Sequence, residues 1–141
     1  HLDRPDVGSA SPRQRPFEFR TYTIKARLRL MKKEEDRDVH VVIAAPSHRK
    51  HTMIVEFPSL HCKGAAGSIK RKAMARSRRR LVRACGTPSS SDFRTLHGVA
   101  RITGVAFFDL FHGQTGVAPN AIELHPVLRF RMVKGPCQRP H

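Results

Sequence analysis

Alternating apolar and polar residues at positions 17–30 impose the strongest constraint on how this chain can fold. A period of two places successive side chains on opposite faces of an extended backbone, so the segment is predicted to form a half-buried β-strand. The alternation slips once, near Arg20 and Thr21, where we predict a β-bulge. Shorter stretches rich in β-forming residues predict four more strands, at 39–44, 52–57, 98–108 and 121–132. Pro126 interrupts the last of these and predicts a strand edge or a bulge.

One helix is predicted between the third and fourth strands. Small or apolar residues recur every three or four positions over 64–84, so they share one helical face. Gly86 is typical of the residue that caps a helix C-terminus. Three strands, a helix and two strands are the element order of the OB fold. We therefore expect a mainly β protein built as a small five-stranded OB-like barrel.

Composition divides the chain into three parts. Residues 1–16 are rich in Pro, Gly and Ser and predict a flexible N-terminal arm, residues 17–132 contain the predicted OB-like domain, and residues 133–141 predict a flexible tail. No stretch reaches the roughly 18 uninterrupted apolar residues that a membrane-spanning helix needs. The first residue is His1, which fits either a processed N-terminus or a start inside a longer protein.

Positive charge is the strongest indication of a partner. The chain has 27 Lys and Arg against 11 Asp and Glu, a formal net charge of +16, which attracts polyanions. No acidic residue occurs between Glu56 and Asp92, the region that contains the predicted helix. We expect a non-catalytic polyanion-binding module whose ligand is single-stranded nucleic acid, although a row of cations is also typical of a solvated face. The expected contact residues are Lys70, Arg71, Lys72, Arg76, Arg78, Arg79, Arg80 and Arg83.

The strand alternation also predicts that two histidines and several carboxylates share a surface. Asp38 and His40 fall on one face of strand two, Glu56 on the matching face of strand three, and Glu123 and His125 near one face of the last strand. Such a set could bind a divalent metal, the one cofactor considered, with Asp38, His40, Glu56 and His125 as candidate ligands. It could also support acid–base catalysis by His40, Glu56, Glu123 and His125 in a secreted metal-dependent nuclease. A purely structural network of ion pairs is the third interpretation.

The three cysteines, Cys62, Cys85 and Cys137, form no Cys-x-x-Cys pair, which argues against a zinc ribbon. The spacing alone fits either one disulfide with one remaining thiol or three reduced thiols.

Several segments together carry a resemblance to a known family. They are 38–43 (DVHVVI), 52–58 (TMIVEFP), 84–91 (ACGTPSSS) and above all 104–128 (GVAFFDLFHGQTGVAPNAIELHPVL). The chain resembles, over about 22–130, a family of uncharacterised, often exported bacterial proteins with the signature GVxFFDxxHGQTGVAPNxIELHPVL. The family usually has glycine where this chain has Arg37 and Ala106.

The resemblance implies a secreted or cell-exterior location and a disulfide between Cys62 and Cys85. Cys137 would then stay free and available for self-association. This leaves a structural or assembly protein of the cell exterior as a further alternative.

Overall fold

The computed structural model describes residues 20–59, 69–108 and 122–139, which form a mainly β structure with one helix. The mainly β architecture expected from the sequence is thereby confirmed. The elements are β1 (Thr21–Lys33), β2 (Val39–Ala45), β3 (His48–Phe57), α1 (Ile69–Cys85), β4 (Arg94–Thr95), β5 (Val99–Phe108) and β6 (Ile122–Lys134). The predicted arm, 1–16, lies outside the described residues, and β6 continues two residues into the segment predicted as a tail.

Five of the strands close into a ring. Antiparallel pairs join β1 to β2, β2 to β3, β6 to β5 and β5 to β1, while a short parallel pair joins β3 to β6. The two-residue β4 adds to β1 outside this ring. β1 therefore pairs with β5 through its first half and with β2 through its second half.

The β-bulge in β1 lies between Leu28 and Leu30, not near Arg20 and Thr21 as the alternation predicted. This position is where β1 passes from its pairing with β5 to its pairing with β2, and a bulge lets a strand bend at such a point. Because of the bulge, Leu28 and Met31 are both buried although they are three residues apart, an odd spacing that would place them on opposite faces of a regular strand. Leu30 is only half-buried.

The main core lies inside the ring and collects the inward-facing residues of all five strands. Val41, Val55, Ile102 and Phe130 belong to it, and the ring of Phe130 meets Phe57 edge to face at 5.8 Å. Burying an aromatic side chain of this size stabilises a fold by about 1.5–3 kcal/mol. The two phenylalanines therefore link β3 and β6 beyond their short parallel pairing at Ile54 and Val55.

Helix α1 packs one face against the sheet, mainly against β6. Met74, Ser77, Leu81 and Cys85 recur at helical spacing and are buried. The hydroxyl of Ser77 donates to the Met74 carbonyl at 2.9 Å and lies 3.2 Å from the Val127 carbonyl of β6. The predicted cap is confirmed by backbone geometry, since Gly86 has φ +87° and its N–H donates to the Val82 carbonyl.

The structure joins Cys85 to Cys137 in a disulfide, which corrects the pairing of Cys85 with Cys62 that the family resemblance implied. The Cys137 carbonyl accepts a hydrogen bond from the His97 N–H, so the segment after β6 is held beside the C-terminal end of α1. Both bonded cysteines are buried, and Cys62 lies outside the described residues. Self-association through a free Cys137 thiol therefore loses its basis.

In the parts of the chain that the structure describes, no helix has the length and apolar character needed to cross a membrane.

Candidate functional site

The acidic side chains gather in a single cleft. The cleft has a volume of about 760 Å³ and is also lined by Lys32, Lys33 and His125. Of the seven acidic residues in the described ranges, only Asp92 lies elsewhere. On a protein with a net charge of +16, this is a strongly localised negative region. The carboxylates of the cleft are Glu34, Glu35, Asp36, Asp38, Glu56 and Glu123.

The β2–β3 ladder places His40 beside Glu56. The two residues are direct partners in the antiparallel register, and they face away from core residues such as Val41 and Val55 because side chains alternate along a strand. His40 is only 3% exposed. Its Nδ1 atom lies 3.1 Å from Oε1 of Glu56.

A tight turn between β1 and β2 brings a second carboxylate to the same nitrogen. The Glu34 N–H donates to the Asp38 carbonyl, and the Arg37 N–H donates back to the Glu34 carbonyl. Arg37 closes this turn in the left-handed region, with φ 71°. As a result, Oε1 of Glu34 lies 3.1 Å from the Nδ1 atom of His40.

Glu34, His40 and Glu56 together have the geometry of a small ligand set. One ligand atom from each residue lies within 4.8 Å of the other two. The Nδ1 atom of His40 carries at most one proton, so it can donate fully to only one of the two carboxylates. Glu34 is 40% exposed and can also be hydrated by water, whereas Glu56 is only 12% exposed. Imidazole nitrogen with carboxylate oxygen is a donor set that first-row divalent metals accept.

Burial raises the pKa of the Glu56 carboxyl above its usual value, and the hydrogen bond with His40 opposes part of that rise. The desolvation of a carboxylate favours its neutral form, whereas a donor favours its charged form. The rise therefore marks Glu56 as a group whose charge is only partly compensated by its neighbours.

Asp38 connects the turn to the end of β3. Its Oδ1 atom accepts a hydrogen bond of 2.7 Å from the Ser59 N–H, and its Oδ2 atom lies 3.9 Å from Nε2 of His125. Burial raises the pKa of the Asp38 carboxyl, and the Ser59 hydrogen bond opposes the rise. The carboxylate is thus bound to the backbone just after β3, and its second oxygen faces β6.

β6 supplies Glu123 and His125 to the cleft. Glu123 is the register partner of Ile54 in the parallel β3–β6 pair and is 3% exposed. The register of β5 and β6 shifts between Gly104 and Ala106, opposite His125 and Pro126. The predicted irregularity at Pro126 is therefore a bulge inside the sheet, and the His125–Pro126 peptide bond is cis.

All five residues predicted to converge do line or adjoin this cleft, and the structure adds one that the sequence analysis did not name. Glu34 contacts His40 directly. The available signal was the shortness of the acidic stretch before β2, since a tight turn must fold its first residues back toward the strand that follows.

The basic face of α1 forms a separate surface. One predicted contact residue is engaged internally: Arg78 donates to the Phe57 carbonyl at 2.9 Å and to the Arg37 carbonyl at 2.7 Å. Burial lowers the pKa of this guanidinium, and the charge of Asp38 opposes the fall. The other seven are exposed and define what we call the α1 basic face: Lys70, Arg71, Lys72, Arg76, Arg79, Arg80 and Arg83.

No protein-family model, curated protein or solved structure matches this chain. The resemblance drawn from the sequence therefore stays a prediction. Residues 109–121, which carry the middle of its signature, lie outside the described residues.

Proposed function

We propose that this protein is a non-catalytic polyanion-binding module and that single-stranded nucleic acid is its ligand. The observation that carries this proposal is the α1 basic face, where seven exposed cations lie along one 17-residue helix. α1 contains no acidic residue to neutralise them.

The arrangement favours a linear polymer over a compact anion. Residues three and four positions apart lie on the same side of a helix, so Arg76, Arg79, Arg80 and Arg83 form a row along its axis. A helix rises 1.5 Å per residue, which gives this row a length of about 10 Å. A row of that length can contact successive phosphates of an extended strand, and each contact releases a condensed counterion.

An OB-like architecture is part of the proposal. The closed order β1-β2-β3-β6-β5, returning to β1, and the position of α1 after β3 in the chain support it. OB folds bind oligonucleotides on a strand face and on the loops around it. The fold alone does not fix the ligand, so the electrostatic test below decides the function.

The proposal is tested by the salt dependence of oligonucleotide binding. A labelled single strand is titrated with the full chain between about 50 and 200 mM salt, with chelator present, by fluorescence anisotropy. Single strands give a slope of log K against log salt of about −0.7 for each phosphate contacted. The double variant Arg79→Gln/Arg83→Gln is therefore expected to make this slope less negative by about 1.4 and to weaken binding.

A matched control removes the same charge from another face. Lys25 and Arg101 are exposed cross-strand partners on β1 and β5. The variant Lys25→Gln/Arg101→Gln is expected to keep nearly the wild-type slope. Equal effects of the two double variants would show that net charge alone attracts the strand and would defeat the assignment to α1.

We further propose a location outside the bacterial cytoplasm. The Cys85–Cys137 disulfide supports it, because structural disulfides persist mainly in oxidising compartments.

A second candidate function is metal-dependent hydrolysis of phosphodiesters, and the shared contact of Glu34 and Glu56 with His40 specifically favours it. Two ligand atoms bound to one ion at about 2.1 Å lie about 3.0–3.4 Å apart, close to the 3.1 Å between Nδ1 of His40 and each carboxylate oxygen. A metal held here would lower the pKa of a bound water for attack on phosphorus. The P–O bond would then break, and the leaving oxygen would take up a proton.

The second candidate is tested by adding Mn²⁺ or Zn²⁺ to chelator-treated protein. Each ion is expected to raise Tm through binding to the folded state, and the variant His40→Gln is expected to lose that rise. Glu35→Gln is the matched control, because it removes an exposed carboxylate from the same cleft without touching His40. A metal-dependent shortening of the oligonucleotide on a gel would favour the hydrolase over the binding module.

A further inference from the structure

We infer that this protein has a second anion site, independent of the α1 basic face, that binds a single phosphate group. The site is a groove of about 460 Å³ beside the middle of β1. Four arginines and one histidine line it: Arg27, Arg29, Arg49, Arg139 and His97.

The charge of the groove is unbalanced. None of the described residues that line it is acidic, although six carboxylates gather in the cleft described above. Four guanidinium groups around one cavity repel each other, and an anion between them would remove that repulsion. The planar donor fork of arginine fits the oxygens of phosphate better than the point charge of lysine does. The described residues that line this groove include four arginines and no lysine.

A donor inside the groove wall lacks a partner. In the described part of the chain, Nε of Arg27 is the buried side-chain polar atom without a hydrogen bond. Its neighbours Ala26 and Leu28 both point into the core, so alternation places Arg27 on the other side of β1, against the groove. Native proteins rarely leave a buried donor unpaired, and a phosphate bound against Arg27 would compensate the buried charge of this guanidinium.

The C-terminal segment completes the groove. Gly98 has φ +84°, and a Cβ atom at this position would lie 2.7 Å from the Lys134 carbonyl, so only glycine allows this close approach. The His97–Cys137 hydrogen bond and the Cys85–Cys137 disulfide hold the same segment in place. Arg139, two residues after the disulfide, is thereby kept at the groove.

The groove is distinct from the acidic cleft. In the β1–β2 ladder, Arg27 is opposite Ala44, whereas Lys32, which lines the cleft, is opposite His40. Four residues of β2 separate these positions, about 13 Å along the strand. The two ends of this ladder therefore carry opposite charge, one suited to cations and the other to phosphate.

The test measures inorganic phosphate binding to the full chain by isothermal titration calorimetry at low ionic strength. Arg49 and Arg139 are exposed, so Arg49→Gln/Arg139→Gln is expected to fold normally and to bind phosphate about 100-fold more weakly, because two charged hydrogen bonds are lost and each is worth about 10-fold. Arg27→Gln, which removes one arginine, is expected to weaken phosphate binding about 10-fold. The control Lys25→Gln/Arg101→Gln is expected to keep wild-type affinity. Absence of saturable phosphate binding, or an equal loss in the control, overturns the inference.

Competition then identifies the source of the phosphate group. A 5′-phosphorylated oligonucleotide and its unphosphorylated twin are tested for displacement of phosphate. Displacement by the first alone assigns the groove to a terminal phosphate, and displacement by neither assigns it to the free ion. Arg79→Gln/Arg83→Gln is expected to leave phosphate binding unchanged, so failure of this inference and failure of the α1 proposal can be told apart.

Discussion

His40 and Glu56 face each other directly across β2 and β3, and Nδ1 of His40 lies 3.1 Å from Oε1 of Glu56. The histidine is almost completely buried, and its partner carboxylate is nearly so. An ionisable pair in this position is costly to desolvate unless its charges are matched. The stability of the protein should therefore respond to pH through this pair.

We expect the wild type to lose stability relative to Glu56→Gln as pH rises from 4 to 7 in the presence of chelator. Burial raises the pKa of Glu56 above its usual value of 4.5. A carboxyl with a raised pKa in the folded state contributes stability below its unfolded pKa and loses it as pH rises through the folded pKa. Urea unfolding at several pH values measures this difference. A difference that is constant over the range would contradict the expectation.

Substitutions on α1 should affect either stability or binding, depending on whether the arginine is bonded inside the protein or exposed on the α1 basic face. Arg78 donates to two main-chain carbonyls, one of them at the end of β3. Arg78→Gln is expected to lower the free energy of unfolding by about 1–2 kcal/mol, because two charged hydrogen bonds to main-chain carbonyls are lost, one partly buried and one exposed. Arg79→Gln, the neighbouring change of equal charge, is expected to leave unfolding nearly unchanged and to weaken oligonucleotide binding. Chemical denaturation and anisotropy on the same two variants test the pair.

The strands were predictable because their signal is local. The run of β-forming residues predicts β2 at 39–44, and the observed strand is Val39–Ala45. Alternation along the strands predicts that His40 and Glu56 lie off the core face, since neighbours such as Val41 and Val55 are apolar. Their direct pairing follows once β2 and β3 form a hairpin.

Other features depended on information that local patterns lack. Glu34 reaches His40 from a turn in which Arg37 adopts a left-handed conformation, and such a conformation is unusual for arginine. The disulfide joins residues 52 positions apart, and its partner choice depends on how β6 ends beside α1. Arg78 is an intermediate case, because it lies four residues after Met74 and three before Leu81, at the border of the buried face.

The disulfide should supply a large share of the stability. Closing a loop with a sequence separation of 52 corresponds to about 4 kcal/mol in the chain-entropy model. The double variant Cys85→Ser/Cys137→Ser is expected to show a loss of that order in urea unfolding under non-reducing conditions. Cys62→Ser is the matched control, and it is expected to leave the bond intact. A peptide map linking Cys62 to Cys85 would reject the pairing described above.

Replacing Arg37 by glycine should stabilise the protein without disturbing the cleft. Arg37 has φ 71°, a conformation that costs a residue with a Cβ atom about 1–2 kcal/mol and costs glycine almost nothing. Part of that gain is offset by the greater chain entropy of glycine in the unfolded state, which leaves about 0.5–1 kcal/mol. The Arg37 carbonyl, which accepts from Arg78, is kept in the variant. We therefore expect Arg37→Gly to raise the urea midpoint while the metal-induced change in Tm stays as in the wild type.

The control Arg37→Ala separates the effect of backbone conformation from the effect of charge. It removes the side-chain charge but keeps the Cβ atom, so it should give little of the gain in stability. An equal rise in both variants would mean that charge, not backbone conformation, limits the stability of this turn.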